Sequence, residues 1–481
     1  MNRIVGLETE YGCLAGDPAD MQGTVRRVRD WVFDGHRHGL MDLHQRDWDE
    51  PAGNGGFLFN GGRVYVDMGH LEYCTPECQS LLDVLRYDCA GDRMIQDALK
   101  KLRLDHTASF IRNNVDHYSG ATFGCHENYL VRRNAPLSES NVQSLLTFLT
   151  LRMLYTSAGR VGTTMAAEFR GDAIRPGPEN TFQISQRADY INNDLFEWVQ
   201  FNRAIINTRD EPLADPRRYR RLHLLHGDTS VLPATLLLKV GTTALVLDLL
   251  EADQMPAMIL SDAVGAFRGL SHVPDGDWTV TLQDGRTINA VDVLKEFWSA
   301  ARRQFHGRDS ETDDLLKIWG ETLEALESNR NSLVGRVDWI TKKWLLEQFM
   351  EQEDLDWSDA WLKSQDLEFH QVDPSKSLGL ALAETPDCWK ITDPEIRTAM
   401  ENPPKDTRAA IRSHAMRHLI GKRLPYYLDW EILGVEGGNA LPLPDPFETN
   451  VDRVDEWLAE CHEQTGSAPR RPRQGPIRFS S

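Results

Sequence analysis

Polar and apolar positions alternate along Arg63-Val64-Tyr65-Val66-Asp67, which predicts a strand with Arg63, Tyr65 and Asp67 on one face and Val64 and Val66 on the other. Residues 2–12 predict a second strand, on which Glu8 and Glu10 share a side, and His70 and Glu72 alternate likewise just past Met68-Gly69. Asn60-Gly61-Gly62 is a hairpin-type turn signal before the first of these strands. Ser109–Ile111, Phe182–Arg187 and Tyr219–Leu224 predict further strands, and Asp284-Gly285 marks a hairpin between Trp278–Leu282 and Thr287–Ala290. Helical spacing covers Thr24–Phe33, Ser80–Leu102, Val142–Ser157, Val291–His306, Asp313–Glu327 and 337–350, while Leu236–Ala252 is the most apolar helix and is expected in the central core. Residues 34–56 read as a long polar loop and 159–180 as a second insertion; loops of that length usually carry function. Asn402-Pro403-Pro404 breaks the chain, and the Pro-, Arg-, Gly- and Ser-rich residues 463–481 read as a flexible tail. A domain boundary is placed near 415, giving a large domain over 1–414 and a small one over 415–481.

The length of 481 residues accommodates a large core and more than one domain. With 53 Lys plus Arg against 73 Asp plus Glu, the net charge of −20 argues against a nucleic-acid binder. No apolar run approaches a bilayer span and the N-terminus lacks a signal-peptide apolar region, so a cytoplasmic location without membrane partners is expected. Seven scattered cysteines read as reduced thiols; Cys74 and Cys78 have no second Cys or His pair nearby to complete a zinc pattern.

A strand face that combines Glu8, Glu10, Tyr65 and Asp67 carries too much negative charge for an ordinary core face. It calls for cations, and Mg²⁺ with nucleotide phosphate is the natural answer; the competing reading is a solvated face of an edge hairpin. Taken with Glu72, His126, Arg187, Arg209, Arg220, Arg221 and His223, the polar strand faces suggest a sheet floor bearing metal ligands and phosphate-binding arginines. No Walker-A loop, kinase glycine loop or dinucleotide fingerprint is present, so an ATP site would be a carboxylate-and-arginine sheet.

Several long motifs resemble a known family. They are Gly6-Leu7-Glu8-Thr9-Glu10-Tyr11-Gly12, the Asn60–Asp67 strand, Cys125-His126-Glu127-Asn128-Tyr129-Leu130, Ser185-Gln186-Arg187, Ile205–Pro212, Tyr219–His223 and Asn402–Arg408. In order over about residues 2–435, they resemble the Pup ligase and Pup deamidase/depupylase family, Pup being the prokaryotic ubiquitin-like protein. The resemblance implies an α+β, glutamine-synthetase-like fold: a curved, mostly antiparallel sheet cradling ATP, helices behind it and a small C-terminal domain. It implies ATP and Mg²⁺ as cofactors, Pup and pupylated proteins as partners, and association with a proteasomal ATPase. By resemblance, Glu8, Tyr65, Glu72, His126 and His223 line the magnesium site; Arg63, Cys74, Thr75, Asn128 and Trp430 contact nucleotide; Arg187, Arg209, Arg220 and Arg221 meet phosphate or substrate; and Asp67 is catalytic. The basic run Arg217–Arg221 would steer the acidic Pup chain.

Within the family, the Glu-Thr-Glu triplet and a short loop between residues 12 and 57 resemble ligases. The step from Asp67 to Glu72, the Pro76-Glu77-Cys78 ending, Phe182–Ile191, Gly241–Leu249 and Glu401–Ala409 resemble depupylases. Two departures stand out: residues 46–51 read as the remnant of a longer depupylase loop, and Leu213 replaces a histidine usual in the family. The expectation is a depupylase and deamidase, with a Pup ligase and a catalytically inactive Pup-binding homologue as the alternatives.

Overall fold

Val5–Ala15 (β1) is the strand on which the main sheet is built, and its alternation decides which face is buried. Val5, Leu7, Thr9 and Tyr11 are buried, whereas Gly6, Glu8 and Glu10 are only half-buried. The computed structural model describes residues 1, 3–46, 50–117, 122–162, 181–197, 203–420 and 425–467. Most of the expected insertion at 159–180 and of the tail at 463–481 lies outside them, as do residues 47–49 of the depupylase-loop remnant.

The other strands of the sheet follow in chain order. They are Gly39–Met41 (β2), Gly55–Leu58 (β3), Arg63–Asp67 (β4), His70–Cys74 (β5), Ala108–Ile111 (β6) and Cys125–Arg132 (β7). Arg160–Val161 (β8) and Phe182–Gln183 (β9) pair apart, and Asn193–Phe196 (β10), Ala204–Asn207 (β11) and Tyr219–Leu224 (β12) complete the main sheet. The order is β10-β11-β12-β7-β1-β5-β4-β3-β2, with β6 also on β1. Every pairing in it is antiparallel except β10 with β11. The α+β expectation holds: a large, mostly antiparallel sheet with helices behind it.

Met21–Phe33 (α1), Leu81–Leu102 (α2), Glu139–Leu151 (α3), Met153–Thr156 (α4) and Pro233–Glu251 (α5) lie on the apolar side or pack among themselves there. Helix α2 starts on Ser80, whose hydroxyl accepts from the Asp83 N–H, and ends on Arg103 in the left-handed region. Helix α5 has no polar face and is buried nearly all round, as expected of the central helix. By length and composition alone it could cross a bilayer, which corrects the reading that no run is long enough; 89% of that apolar window is buried inside the fold. The core tolerates an internal charge pair beside it. Arg152 binds Glu127 with Nη1 to Oε2 at 2.9 Å, and burial of Glu127 is outweighed by the Arg152 and Lys239 charges, which hold its carboxyl down at about 2.

Two expectations change. Residues 34–56, read as a polar loop, contain β2 and the start of β3. Glycines carry this crossing, since a Cβ on Gly39 would stand 2.1 Å from the Phe57 carbonyl oxygen and one on Gly56 2.0 Å from that of Leu40. Phe182–Arg187 is a strand only over Phe182–Gln183, because Ser185–Arg187 instead wraps the Asp228 carboxylate.

A second, smaller core joins Leu40, Phe57 and Phe59 to Ile411, Met416, Leu428, Leu433 and Trp457. It is formed by the helix Ala409–Leu419, a three-stranded sheet over Tyr426–Leu428, Ile432–Val435 and Leu441–Pro442, and the helix Asp452–Ser467. Residue 415, the expected boundary, falls inside Ala409–Leu419.

Candidate active site

The half-buried face of the sheet collects its polar side chains through register. Glu8 pairs with Cys74 on one side and His126 on the other, Glu10 with Glu72, Tyr65 with Glu72, Asp67 with His70, and His223 with Asn128. Residues paired across antiparallel strands point to the same face, so segments far apart in the chain contribute to one surface.

At its centre, Glu8 accepts from Asn128 Nδ2 at 2.9 Å and lies 2.9 Å from His126 Nδ1. His223 Nε2 stands 3.7 Å from the same carboxylate, and its ring is 5.2 Å from that of His126. Burial pushes the Glu8 carboxyl up, but His126 and His223 outweigh it and hold the group well below the usual carboxylate range. Burial pulls His223 below the usual histidine range despite Glu8. Next to this trio, Glu10, Asp67 and Glu72 bring carboxylate oxygens within 4.8 Å of one another. Burial first, then the charges of Glu8 and Glu10, push the Glu72 carboxyl well above its usual range. The Tyr65 hydroxyl donates to Glu72, and burial pushes its own pKa well above the usual phenol range. His70 Nδ1 is 3.2 Å from Glu10. Asp67 closes β4 at a two-residue turn whose residues, Met68 at φ 45° and Gly69 at φ 95°, are both left-handed.

A cleft opens beside the trio, lined by Gly6, Glu8, Cys74, Thr75, Asn128, Leu130, Leu213, Arg221, Arg408 and Trp430 among others. Leu213 is part of this wall at φ 49°. Trp430 is held from behind: Phe57 meets it edge-on at 5.0 Å, and the Arg412 guanidinium sits 4.9 Å from its ring and donates to its carbonyl at 3.0 Å. Arg412 and Arg408 both bind Glu77, at 2.6 and 2.8 Å. Burial of Glu77 is outweighed by these two cations, which hold its carboxyl down at about 2.

The structure brings most of the residues singled out in the sequence together on one face. Glu8, Tyr65, Asp67, Glu72, His126 and His223 converge, and Cys74, Thr75, Asn128, Arg221 and Trp430 line the cleft. Four arginines differ. Arg63 is buried against Asp42 at 2.9 Å and Glu50, with its guanidinium 4.3 Å from the Tyr65 ring. Arg187 is buried and donates to the carbonyls of Phe123 and Leu225 at 3.0 and 2.8 Å, and burial pulls its pKa below the usual guanidinium range. Arg209 is exposed and paired with Glu211 at 2.9 Å. Arg220 sits opposite Val131, on the other side of the strand from Arg221 and His223. The run Arg217–Arg221 is also not a bare cationic patch, since Arg217 pairs with Asp215, Arg218 with Asp445 and Arg221 with Glu211. The triad Glu77–Arg408–Arg412 was given no role in advance; its partners are hundreds of residues apart, and the only local signal is two arginines one helical turn apart.

The residues fit a divalent cation by their chemistry. Both ring nitrogens of His223 are buried without a hydrogen-bond partner, Nε2 stands 3.7 Å from the ionised Glu8 carboxylate, and the neighbouring trio is made of hard carboxylate oxygens, the donor type Mg²⁺ prefers.

Fold and site together define an α+β protein with carboxylates and histidines grouped beside a cleft on the open face of a mostly antiparallel sheet. The family model described as Pup-ligase protein matches residues 3–434. The depupylase of Acidothermus cellulolyticus is 33% identical over 97% of this chain and 98% of its own length. The Pup–protein ligase of Sanguibacter keddieii is 35% identical over 95% and 98%. Among solved structures, the ligase PafA in complex with Pup superimposes with a TM-score of 0.79 at 30% identity, covering 97% of this chain and 93% of that one. PafA with ADP gives 0.75 at 31% identity over 88% and 92%. The chain belongs to the Pup ligase family of enzymes, whose named members include both ligases and depupylases.

Proposed function

We propose that this chain is an ATP- and Mg²⁺-dependent depupylase that also deamidates a C-terminal glutamine of Pup. The observation that carries the choice within the family is the tight β4–β5 hairpin. The step from Asp67 to Glu72, which resembles depupylases in length, is a two-residue turn that sets Asp67 beside Glu10 and Glu72. Pro76-Glu77-Cys78, another depupylase-like feature, supplies the glutamate that anchors Arg408 and Arg412.

Glu8, Glu72, His126 and His223 would hold Mg²⁺, with Tyr65 orienting Glu72 through its hydroxyl. Thr75, Asn128, Arg221 and Trp430 would hold the nucleotide, for which ADP bound to PafA is the precedent. When bound, the Mg²⁺ of Mg·ATP would supply positive charge beside the scissile carbonyl of the Pup side chain. Asp67 acts on that carbonyl, either as the base that takes a proton from water or as the nucleophile itself, and the departing lysine amine or ammonia gains a proton. Pup and pupylated proteins are the substrates on this reading, Pup bound to PafA being the precedent. A cytoplasmic location and contact with a proteasomal ATPase accompany the proposal.

The ligase reading is favoured by the Sanguibacter relative and by the two PafA structures. One experiment separates them. Purified chain is mixed with ATP and Mg²⁺, and in parallel with a pupylated protein, with Pup ending in Gln, or with Pup ending in Glu plus an acceptor protein; products are read by mass. Release of Pup and conversion of Gln to Glu are expected, and conjugation alone would establish the ligase instead.

A further inference from the structure

We infer that the chain carries a second metal site, for a first-row transition ion such as Zn²⁺, made by His414, His418 and Asp455 on the outer surface of the C-terminal layer. It does not rest on the reading of the sheet cleft. His414 and His418 are one turn apart on the helix Ala409–Leu419, with ring centroids 4.3 Å apart, and Asp455 reaches them from the first turn of Asp452–Ser467. His414 Nε2 is 4.0 Å from Asp455 Oδ1, and one ligand atom from each of the three residues falls within 4.8 Å of the others.

Stacked histidines on a helix surface are common, so spacing alone does not carry the assignment. The second observation is how His418 is held. Its Nδ1 lies 3.0 Å from the His414 carbonyl oxygen, so Nδ1 carries the proton and donates. That leaves the Nε2 lone pair free, the arrangement in which protein ligands orient imidazole for metal. The competing cation Arg417 turns away, donating to the Glu401 carbonyl and lying 4.8 Å from the Phe59 ring. His418 is also in the last turn of its helix, where the backbone dipole favours positive charge.

Two imidazoles and one carboxylate, without the further carboxylates and nucleotide phosphates that the sheet site offers Mg²⁺, suit zinc-like ions and leave a fourth position for water. Tetrahedral ligands around such an ion stand roughly 3.3 Å apart, so the three side chains need to close by about one ångström. Asp455, 68% exposed, can make that adjustment by rotation. The ion would tie together the two helices of the small core. One of them carries Arg412, which holds Trp430 against the cleft.

The test uses the full chain stripped with chelator and then saturated with Mg·ATP. Zn²⁺ is titrated by calorimetry, the melting temperature is followed, and Co²⁺ absorption reports coordination geometry. The wild type should bind one more Zn²⁺ than a chain carrying His414→Gln and His418→Gln, and only the wild type should gain melting temperature from that ion. Asp455→Asn should weaken binding by about tenfold or more. A chain with His126→Gln and His223→Gln should retain this ion. Equal stoichiometry and equal thermal shift in the wild type and the His414/His418 double variant would overturn the site, as would loss of the ion in the His126/His223 variant.

Discussion

His126 Nδ1 lies 2.9 Å from Glu8 Oε2 across a register pair that joins positions 118 residues apart. With Glu8 ionised, Nδ1 carries the proton and donates, which leaves the lone pair on His126 Nε2 and orients the carboxylate. Glu8→Gln should therefore weaken Mg·ATP binding roughly 10- to 100-fold, because it removes a charged oxygen ligand and the acceptor for His126. Calorimetric titration of Mg·ATP checks this, and an unchanged affinity would remove Glu8 from the metal site.

Gly124 is a position beside the site where a methyl group should act without disturbing the fold. A Cβ there would be 2.6 Å from Glu10 Oε1 and 2.9 Å from His126 Nε2, the mobile ends of two side chains. Gly124→Ala should displace both groups at little cost in stability. The expected result is a fall in turnover of about tenfold to 100-fold with an unchanged melting temperature.

Strand alternation separates two adjacent arginines. Arg221 lines the cleft and donates to Asn128 Oδ1 at 3.3 Å, whereas Arg220 lies on the opposite face with Asp210 at 3.9 Å. Arg221→Ala should raise the nucleotide KM about tenfold or more, the scale of a charge-assisted hydrogen bond. Arg220→Ala should change it by less than about twofold, as for an exposed pair. Equal effects would mean that the nucleotide does not use this wall.

Much of this face could be read from the chain alone because β-strands make a period of two visible over very few residues. Arg63, Tyr65 and Asp67 were separated from Val64 and Val66 by that pattern, and the strand has the expected bounds. The same rule should have divided Arg220 from Arg221, but the run of basic residues drew them together as one patch. What spacing could not supply was register, since nothing local says that Glu8 meets both His126 and Cys74. Strands β2 and β3 were invisible because their glycines carry no side chain to count. Ser185–Arg187 looked extended but serves to satisfy the buried Asp228 carboxylate, a partner more than forty residues away.

The Glu77 clamp gives a stability change with a defined direction in pH. Its carboxyl is held at about 2 in the fold against 4.5 for the free side chain, because the Arg412 and Arg408 charges outweigh its burial. A depressed folded value means the contribution is complete above 4.5 and is lost as pH falls toward about 2. The lost stability is about 3 kcal/mol. Hydrogen exchange in Ala409–Leu419 should accelerate over that window in the wild type. Glu77→Gln should already be loosened at neutral pH and show little further change there, since two buried cations have lost their partner. Matching acid profiles in the two proteins would assign the transition to another carboxylate.

Asp67 divides the two activities of the family by what it is asked to do. Hydrolysis of the isopeptide bond is downhill in water, so ATP can serve as a bound organiser of charge and need not be split in each turnover. Forming that bond from a carboxylate and an amine is uphill, so a ligase must consume one ATP for each bond made. Asp67 stands at the end of β4, its carboxylate grouped with those of Glu10 and Glu72, on either account. Asp67→Asn keeps the shape of the side chain and removes its charge, so nucleotide affinity should stay within about twofold while Pup release falls by roughly 10²- to 10⁴-fold. In the wild type, the molar ratio of ADP formed to Pup released should be far below one. A ratio near one, coupled to conjugation, would instead assign this chain to the ligases, and an Asp67→Asn variant that still releases Pup at the wild-type rate would place the catalytic carboxylate elsewhere on the face.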